Sequence, residues 1–228
     1  MTRTWSGALG GMILLSAGWL TSRALAADPA PAAAPAAVST SATYTIDPAK
    51  SSLYVQVFKD PSTLGAGLSH DHVVAATAWS GKVTWDTANV AACKISITVP
   101  TSGLVNDETS LRQKVGYTVM LDDGDRAEVK EHMLGSDQLG ASSYPNITFA
   151  STSCSAPGTV TGTMSLHGVG KTVSAPFTIT ADGANFTAKG TWKVKLSDFG
   201  VQPFSALFGQ LKNLDEMKFT IDARGFVK

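Results

Sequence analysis

From Ser51 onward, apolar and polar residues alternate with a period of two, and the alternation breaks and restarts at short clusters rich in Gly, Pro, Asp, Asn and Ser. A period of two sends successive side chains to opposite faces of an extended chain, so the pattern predicts antiparallel strands with one wet face each. Leu53, Val55 and Val57 share one face while Ser52, Tyr54, Gln56 and Phe58 take the other. Trp79, Val83 and Trp85 alternate with Ser80, Lys82 and Thr84, and Ile95, Ile97 and Val99 with Lys94, Ser96 and Thr98. Further strands are marked by Ile147 and Phe149, by Val160, Met164 and Leu166, and by Val173, Phe177 and Ile179. The clearest run sets Phe186, Ala188, Gly190, Trp192, Val194 and Leu196 against Thr187, Lys189, Thr191, Lys193 and Lys195. The last sets Met217, Phe219 and Ile221 against Lys218, Thr220 and Asp222. The expectation is an all-β, eight-stranded antiparallel barrel, whose interior is just wide enough for side chains or one slender ligand.

Two stretches depart from the strand pattern. Between Thr101 and Pro145 the alternation fails, and Asp125 to Leu134, with acids leading and Gly135 following, predicts a helix. A second short helix is expected around Ser205 to Lys212. Gly168-Val169-Gly170-Lys171 lacks phosphate-loop spacing and, lying between two strands, reads as a hairpin turn.

The N-terminus is read separately from the fold. Arg3 supplies a basic start, Gly7 to Leu20 an apolar run, and Ala24-Leu25-Ala26 a small-x-small site, so residues 1–26 are expected to be a signal peptide cleaved after Ala26. The run is shorter than the roughly 20 apolar residues of a bilayer span, so no stable membrane anchor is expected. Residues 27–42, rich in Ala and carrying Pro29, Pro31 and Pro35, read as a disordered linker, leaving 43–228 as one folded domain. Arg3 and Arg23 depart with the signal and no acid does, so 16 basic residues face 18 acidic ones. That balance gives no reason to expect a nucleic-acid partner.

Export makes a disulfide between Cys93 and Cys154 feasible. Such a bridge would contribute roughly 4 kcal/mol through loop closure. On strand parity, however, the two cysteines take opposite faces, and a bulge would be needed to bring them together. Bridge and free thiols therefore both stay open.

Catalytic signatures are lacking. There is no G-x-S-x-G elbow and no histidine close in sequence to either cysteine, so an enzyme is not expected and no cofactor is called for. The histidines offer more. Ser69-His70-Asp71-His72 would place His70 and His72 on one side of an extended strand, with His167 as a third nitrogen from elsewhere. Read sharply, this is a metal or redox site. Read plainly, the three are polar contacts at a barrel mouth, which is the reading adopted, with no metal assigned.

The apolar inventory carries the main functional expectation. Trp79, Trp85 and Trp192 all take inward faces, beside small residues at Gly81, Gly162, Ala188 and Gly190 that would leave the interior incompletely filled. Such a bore suits an apolar guest. Its candidate lining is Val55, Val57, Trp79, Val83, Ile97, Val99, Phe149, Met164, Leu166, Phe177, Trp192, Val194 and Phe219. The rival expectation is a barrel filled by its own side chains, with a role in envelope stress or interaction.

Several segments, in order, resemble the YceI-like family of lipocalin-like bacterial proteins: Tyr44-Thr45-Ile46-Asp47-Pro48-Ala49-Lys50-Ser51-Ser52-Leu53, Tyr144-Pro145-Asn146-Ile147-Thr148-Phe149, Gly162 to Lys171, and Leu196-Ser197-Asp198-Phe199-Gly200-Val201. The resemblance covers residues 43–228. It implies a lipocalin-like barrel with one or two short inserted helices, holding an isoprenoid such as a quinone or polyprenyl tail, or another long-chain lipid, in the periplasm, without enzymatic activity. A homodimer is compatible with it. The histidine-bearing segment Gly67 to Val74 and the Gly- and Ser-rich loop from Gly135 to Ser143 depart from the family's usual pattern.

Overall fold

Eight long antiparallel strands, three of them interrupted once, form the wall in a computed structural model that describes residues 41–227. They are β1 (Ala42–Ile46, resuming as Ser52–Lys59), β2 (His72–Ala76, resuming as Ser80–Trp85) and β3 (Lys94–Pro100, resuming as Leu104–Asn106). After these come β4 (Asn146–Ser155), β5 (Thr159–Leu166), β6 (Val169–Ala181), β7 (Asn185–Lys195) and β8 (Leu211–Val227). The expected signal peptide and all but the end of the expected linker lie outside the described residues. Ala42, assigned to that linker, already opens β1.

Each strand pairs with its neighbour in sequence, and β8 returns to β1 along its length, with Tyr44 opposite Val227 and Val55 opposite Phe219. The sheet is thereby closed into a lipocalin-like barrel, and closure leaves no long edge free for pairing with another chain. The interruption in β1 is the Asp47-Pro48 motif. The Asp47 carboxylate accepts the Ala49 N–H at 3.0 Å, and Pro48 opens a single 3₁₀ turn before the strand resumes.

Among the described residues there are two α-helices, α1 (Thr109–Lys114) and α2 (Asp123–Leu134). The second is the helix predicted from sequence, begun two residues earlier because the Asp122 side chain accepts the Asp125 N–H. The first was not foreseen, since six residues are too few to show a period. The short helix expected over residues 205–212 is reduced to a three-residue turn at Leu207–Gly209. Ser205–Ala206 pairs instead with Leu211–Lys212, extending β8 backward, and Leu207, Phe208 and Gly209 make a left-handed turn between them. Pairing satisfies this backbone directly, whereas a helix here would have presented Leu207 and Phe208 to no core. The hairpin turn placed at Gly168–Lys171 is also shifted. His167 and Gly168 are the two turn residues, with φ of 50° and 74°, and Val169 already pairs with Leu166.

At one end the barrel is solid. Tyr44, Trp85 and Phe186 pack together with ring centroids 5.4 and 6.2 Å apart, and Cys93 is bonded to Cys154 beside them. The bulge that a bridge requires on strand parity is there: the β4–β5 register shifts between Ser151 and Ser153, which turns Cys154 inward. At the other end lie α2, the loop that follows it and the hairpin preceding β8.

Candidate functional site

Inward-facing side chains from all eight strands surround a cavity of about 270 Å³. Twelve of the thirteen residues proposed from sequence line it: Val55, Val57, Trp79, Val83, Ile97, Val99, Phe149, Met164, Leu166, Phe177, Trp192 and Phe219. Val194 does not. It is buried on the inward face of β7, but it packs with Phe199 and Val201 from the turn after that strand in a solid cluster that takes up its surface. The lining contains no Asp, Glu, Lys or Arg; Tyr54, His72, His132, Gln138, Thr148 and Asn213 are its polar side chains, along with the Trp192 indole.

The space does not come from the glycines, contrary to the sequence expectation. A Cβ on Gly162 would lie 2.4 Å from the Phe149 ring, and one on Gly190 would lie 2.4 Å from the Phe177 ring. Gly81 is likewise covered by Ile46. These glycines are seats for neighbouring side chains, and the opening is left by strand separation around the barrel. Trp192 stands between Phe177 and Phe219, with centroids 5.9 and 5.2 Å away. Its indole N–H is buried with no hydrogen-bond partner among the described residues, an unmet donor on the wall of a mostly apolar space.

The polar end is organised around His72, the first residue of β2. Its Nδ1 lies 2.8 Å from Asp107 Oδ2, while Asp107 Oδ1 accepts from Arg112 Nη1 at 2.5 Å and from the Val73 N–H at 3.1 Å. Asp107 is fully buried and Arg112 is 2% exposed. Burial pushes the Asp107 carboxyl up, but the hydrogen bond and charge of His72, the Val73 N–H and Arg112 outweigh it and hold the group below the ordinary carboxylate range. Tyr117 lies 5.1 Å over the Arg112 guanidinium and accepts from Gln56, and burial pushes its phenol up. With Nδ1 committed to Asp107, the ring of His72 is fixed at the cavity with Nε2 left over.

The other two proposed mouth histidines are not at the cavity. His70 precedes the strand, so the two-residue parity that would align it with His72 does not apply. His167 occupies the β5–β6 turn, its Nδ1 2.6 Å from the Gln138 carbonyl and its ring against Tyr144. The three imidazoles therefore do not converge. Among the described residues, no three His, Cys, Asp or Glu side chains are grouped to hold a metal.

In their place α2 contributes His132, Val129 and Met133, all lining the cavity. Their i, i+3, i+4 spacing marks one helix face and was readable in the sequence. His132 packs against Phe204, with centroids 5.1 Å apart, so helix and pre-β8 segment meet over this end. The Asp107–Arg112 pair left no comparable sequence signal, because it joins a strand end to a one-turn helix.

Comparison with known proteins agrees with the architecture. The family model described as YceI-like domain matches residues 44–224. Protein YceI of Escherichia coli is 30% identical over 135 residues, which is 54% of this chain and 60% of the relative. A UPF0312 protein of Pseudomonas putida is 30% identical over 136 residues, with the same shares. The match thus spans less than two thirds of the length of these relatives. Among solved structures, BcnA of Burkholderia cenocepacia superposes with a TM-score of 0.60 at 21% identity, covering 78% of this chain and 98% of that one. A polyisoprenoid binding domain from Saccharophagus degradans gives 0.51 at 11% identity, covering 81% and 98%. At these identities the superpositions speak for the fold alone.

Proposed function

Because the chain belongs to the YceI-like domain family, we propose that it binds a long isoprenoid or similar lipid tail along its bore and acts as a carrier or sensor without chemistry of its own. The observation that carries this reading is the cavity of about 270 Å³ whose lining, among the described residues, holds no Asp, Glu, Lys or Arg. That volume lies near the lower bound of roughly 300 Å³ for small-molecule pockets, which favours a narrow chain over a bulky ring system. Each 100 Å² of apolar guest surface removed from water contributes about 2.5 kcal/mol. The unpaired Trp192 N–H suits a guest with one acceptor oxygen, and the leftover nitrogen of His72 suits a polar head group at the mouth. The filled-barrel alternative is disfavoured by the same cavity, and a histidine-centred metal or redox role by the separation of His70, His72 and His167. The signal-like N-terminus makes the periplasm the proposed compartment.

The test is organic extraction of the purified protein followed by mass spectrometry. Isoprenoid or long-chain lipid at near one equivalent is expected, and its loss in Trp192→Asp with circular dichroism unchanged would place it in the bore. Protein that carries no lipid and takes up none from a polyprenol or quinone mixture refutes the proposal.

A further inference from the structure

Two loops at the mouth end hold large apolar side chains in water. Leu64 and Leu68, in the segment after β1, are 95% and 75% exposed; Leu207 and Phe208, at the tip of the Ser205–Lys212 hairpin, are 57% and 108% exposed. The loops form one unit. The Gly65 N–H donates to the Gln210 carbonyl at 3.0 Å and the Asp60 N–H to the Lys212 carbonyl at 2.7 Å. A Cβ on Gly65 would stand 2.7 Å from that same Gln210 oxygen, so the loops touch backbone to backbone. The tip is also conformationally costly. Leu207 and Phe208 hold φ of 49° and 54°, in the left-handed region that residues with a Cβ avoid, and no burial of their side chains compensates. A relaxed surface turn would place glycine or asparagine there.

The hairpin is continuous with the cavity. At its base the Asn213 N–H donates to the Phe204 carbonyl at 3.0 Å, and both residues line the cavity, with Phe204 against His132 of α2. We propose that the paired tip of Leu64, Leu68, Leu207 and Phe208 is a docking surface for a lipid bilayer, holding the mouth against the phase that supplies an apolar guest. The choice of a bilayer over a protein partner rests on the proposed function, since a guest with negligible solubility in water must be exchanged where it is dissolved. It rests equally on the form of the tip. Four large apolar side chains stand exposed on two joined loops, and the charges flanking them are Lys59, Asp60 and Lys212, with Lys59 Nζ bound to the Ala66 and Ser69 carbonyls. Exposed apolar side chains at the rim of an apolar cavity, with only short-range mixed charge behind them, suit contact with an acyl-chain interface.

A reporter at the tip tests this without interference from the N-terminal apolar run. In Phe208→Trp the new indole is expected to shift its emission to the blue with phosphatidylcholine/phosphatidylglycerol vesicles and to be quenched by lipids brominated high on the acyl chain. In Leu207→Asp/Phe208→Asp, transfer of an NBD-labelled polyprenol from vesicles to protein should slow by about ten-fold or more, while the same probe delivered in detergent still loads. Unshifted tryptophan emission, or transfer unchanged in the double variant, overturns the proposal. So does a Phe208-dependent rise in mass with protein concentration, which would make the tip a protein contact. A blue shift on vesicles in a protein that takes up the probe from neither source leaves the docking surface standing and rejects the lipid-binding reading instead.

Discussion

The two ends of the barrel are held shut by different physics. At the solid end Tyr44, Trp85 and Phe186 interlock beside the Cys93–Cys154 bond, so packing and a covalent tie act on the same spot. The mouth end has α2 without a single buried residue, a buried Asp107–Arg112 ion pair with His72 bonded to it at its rim, and four large apolar side chains turned outward. Dense apolar packing loses contacts with any displacement, whereas a few directional polar bonds can be exchanged one at a time. The difference teaches where a guest of the proposed kind would have to enter: past α2 and the hairpin before β8, because the aromatic end is packed and covalently tied.

The largest effect expected on that contrast comes from Arg112→Ala. It leaves the Asp107 carboxylate buried beside His72 without its closest cation, and loss of about 3–5 kcal/mol in urea unfolding is expected, as for other half-broken buried pairs. A loss below about 1 kcal/mol would mean that water reaches Asp107 and the rim is not held by this cluster. Replacing both cysteines by serine should cost somewhat less, roughly 2–4 kcal/mol for a bridge that closes 61 residues, and should leave lipid retention unchanged because the solid end is remote from entry. Parallel lipid loss would show that the aromatic end gives way too. Between the ends, Gly162→Ala pushes a methyl to 2.4 Å from both the Ala150 carbonyl and the Phe149 ring, so a cost of about 1–3 kcal/mol and a narrower bore are expected. An unchanged melting temperature with full lipid uptake would show that the strands separate easily at mid-barrel.

The solid end and the bore were far more legible in the sequence than the mouth. Alternation along Phe186 to Leu196 or Leu53 to Val57 reports directly which side chains face inward, because the period of a strand does not depend on its partners. The β4 bulge was legible only as the condition for a bridge between Cys93 and Cys154, since their parity alone left bridge and free thiols open. Val194 shows the limit of that logic: parity gives its face, but only the three-dimensional placement of Phe199 and Val201 reveals that its surface is already taken. At the mouth the contacts join elements that carry no period of their own. Asp107 sits at a strand end with φ of 55°, Arg112 in a single helical turn, and Phe204 in an extended connector, and nothing in their spacing announces that they meet β2 and α2. His70 is misplaced for the opposite reason. A two-residue spacing implies a shared face only within a strand, and β2 begins at His72.

The smallest expected effect is the pH dependence contributed by Asp107, the buried carboxylate at the mouth, because it is the net of burial raising that carboxyl and its partners lowering it. The lowering prevails, so the folded-state pKa lies beneath the unfolded value of about 3.9. Below the folded value both states bind the proton and the contribution is gone; above the unfolded value neither does, and it is present in full. The stabilisation is therefore complete at neutral pH and fades only as pH falls below about 4. Amide hydrogen exchange, corrected for intrinsic rates and compared between about pH 6 and about pH 3, separates the ends. Protection of Val73, whose N–H is bound by the Asp107 side chain, and of Asp107 itself should fall before that of Tyr44, Val83 and Phe186. Equal loss at both ends would mean that the barrel unfolds as one unit in acid, and the mouth would then have no independent opening for a guest to use.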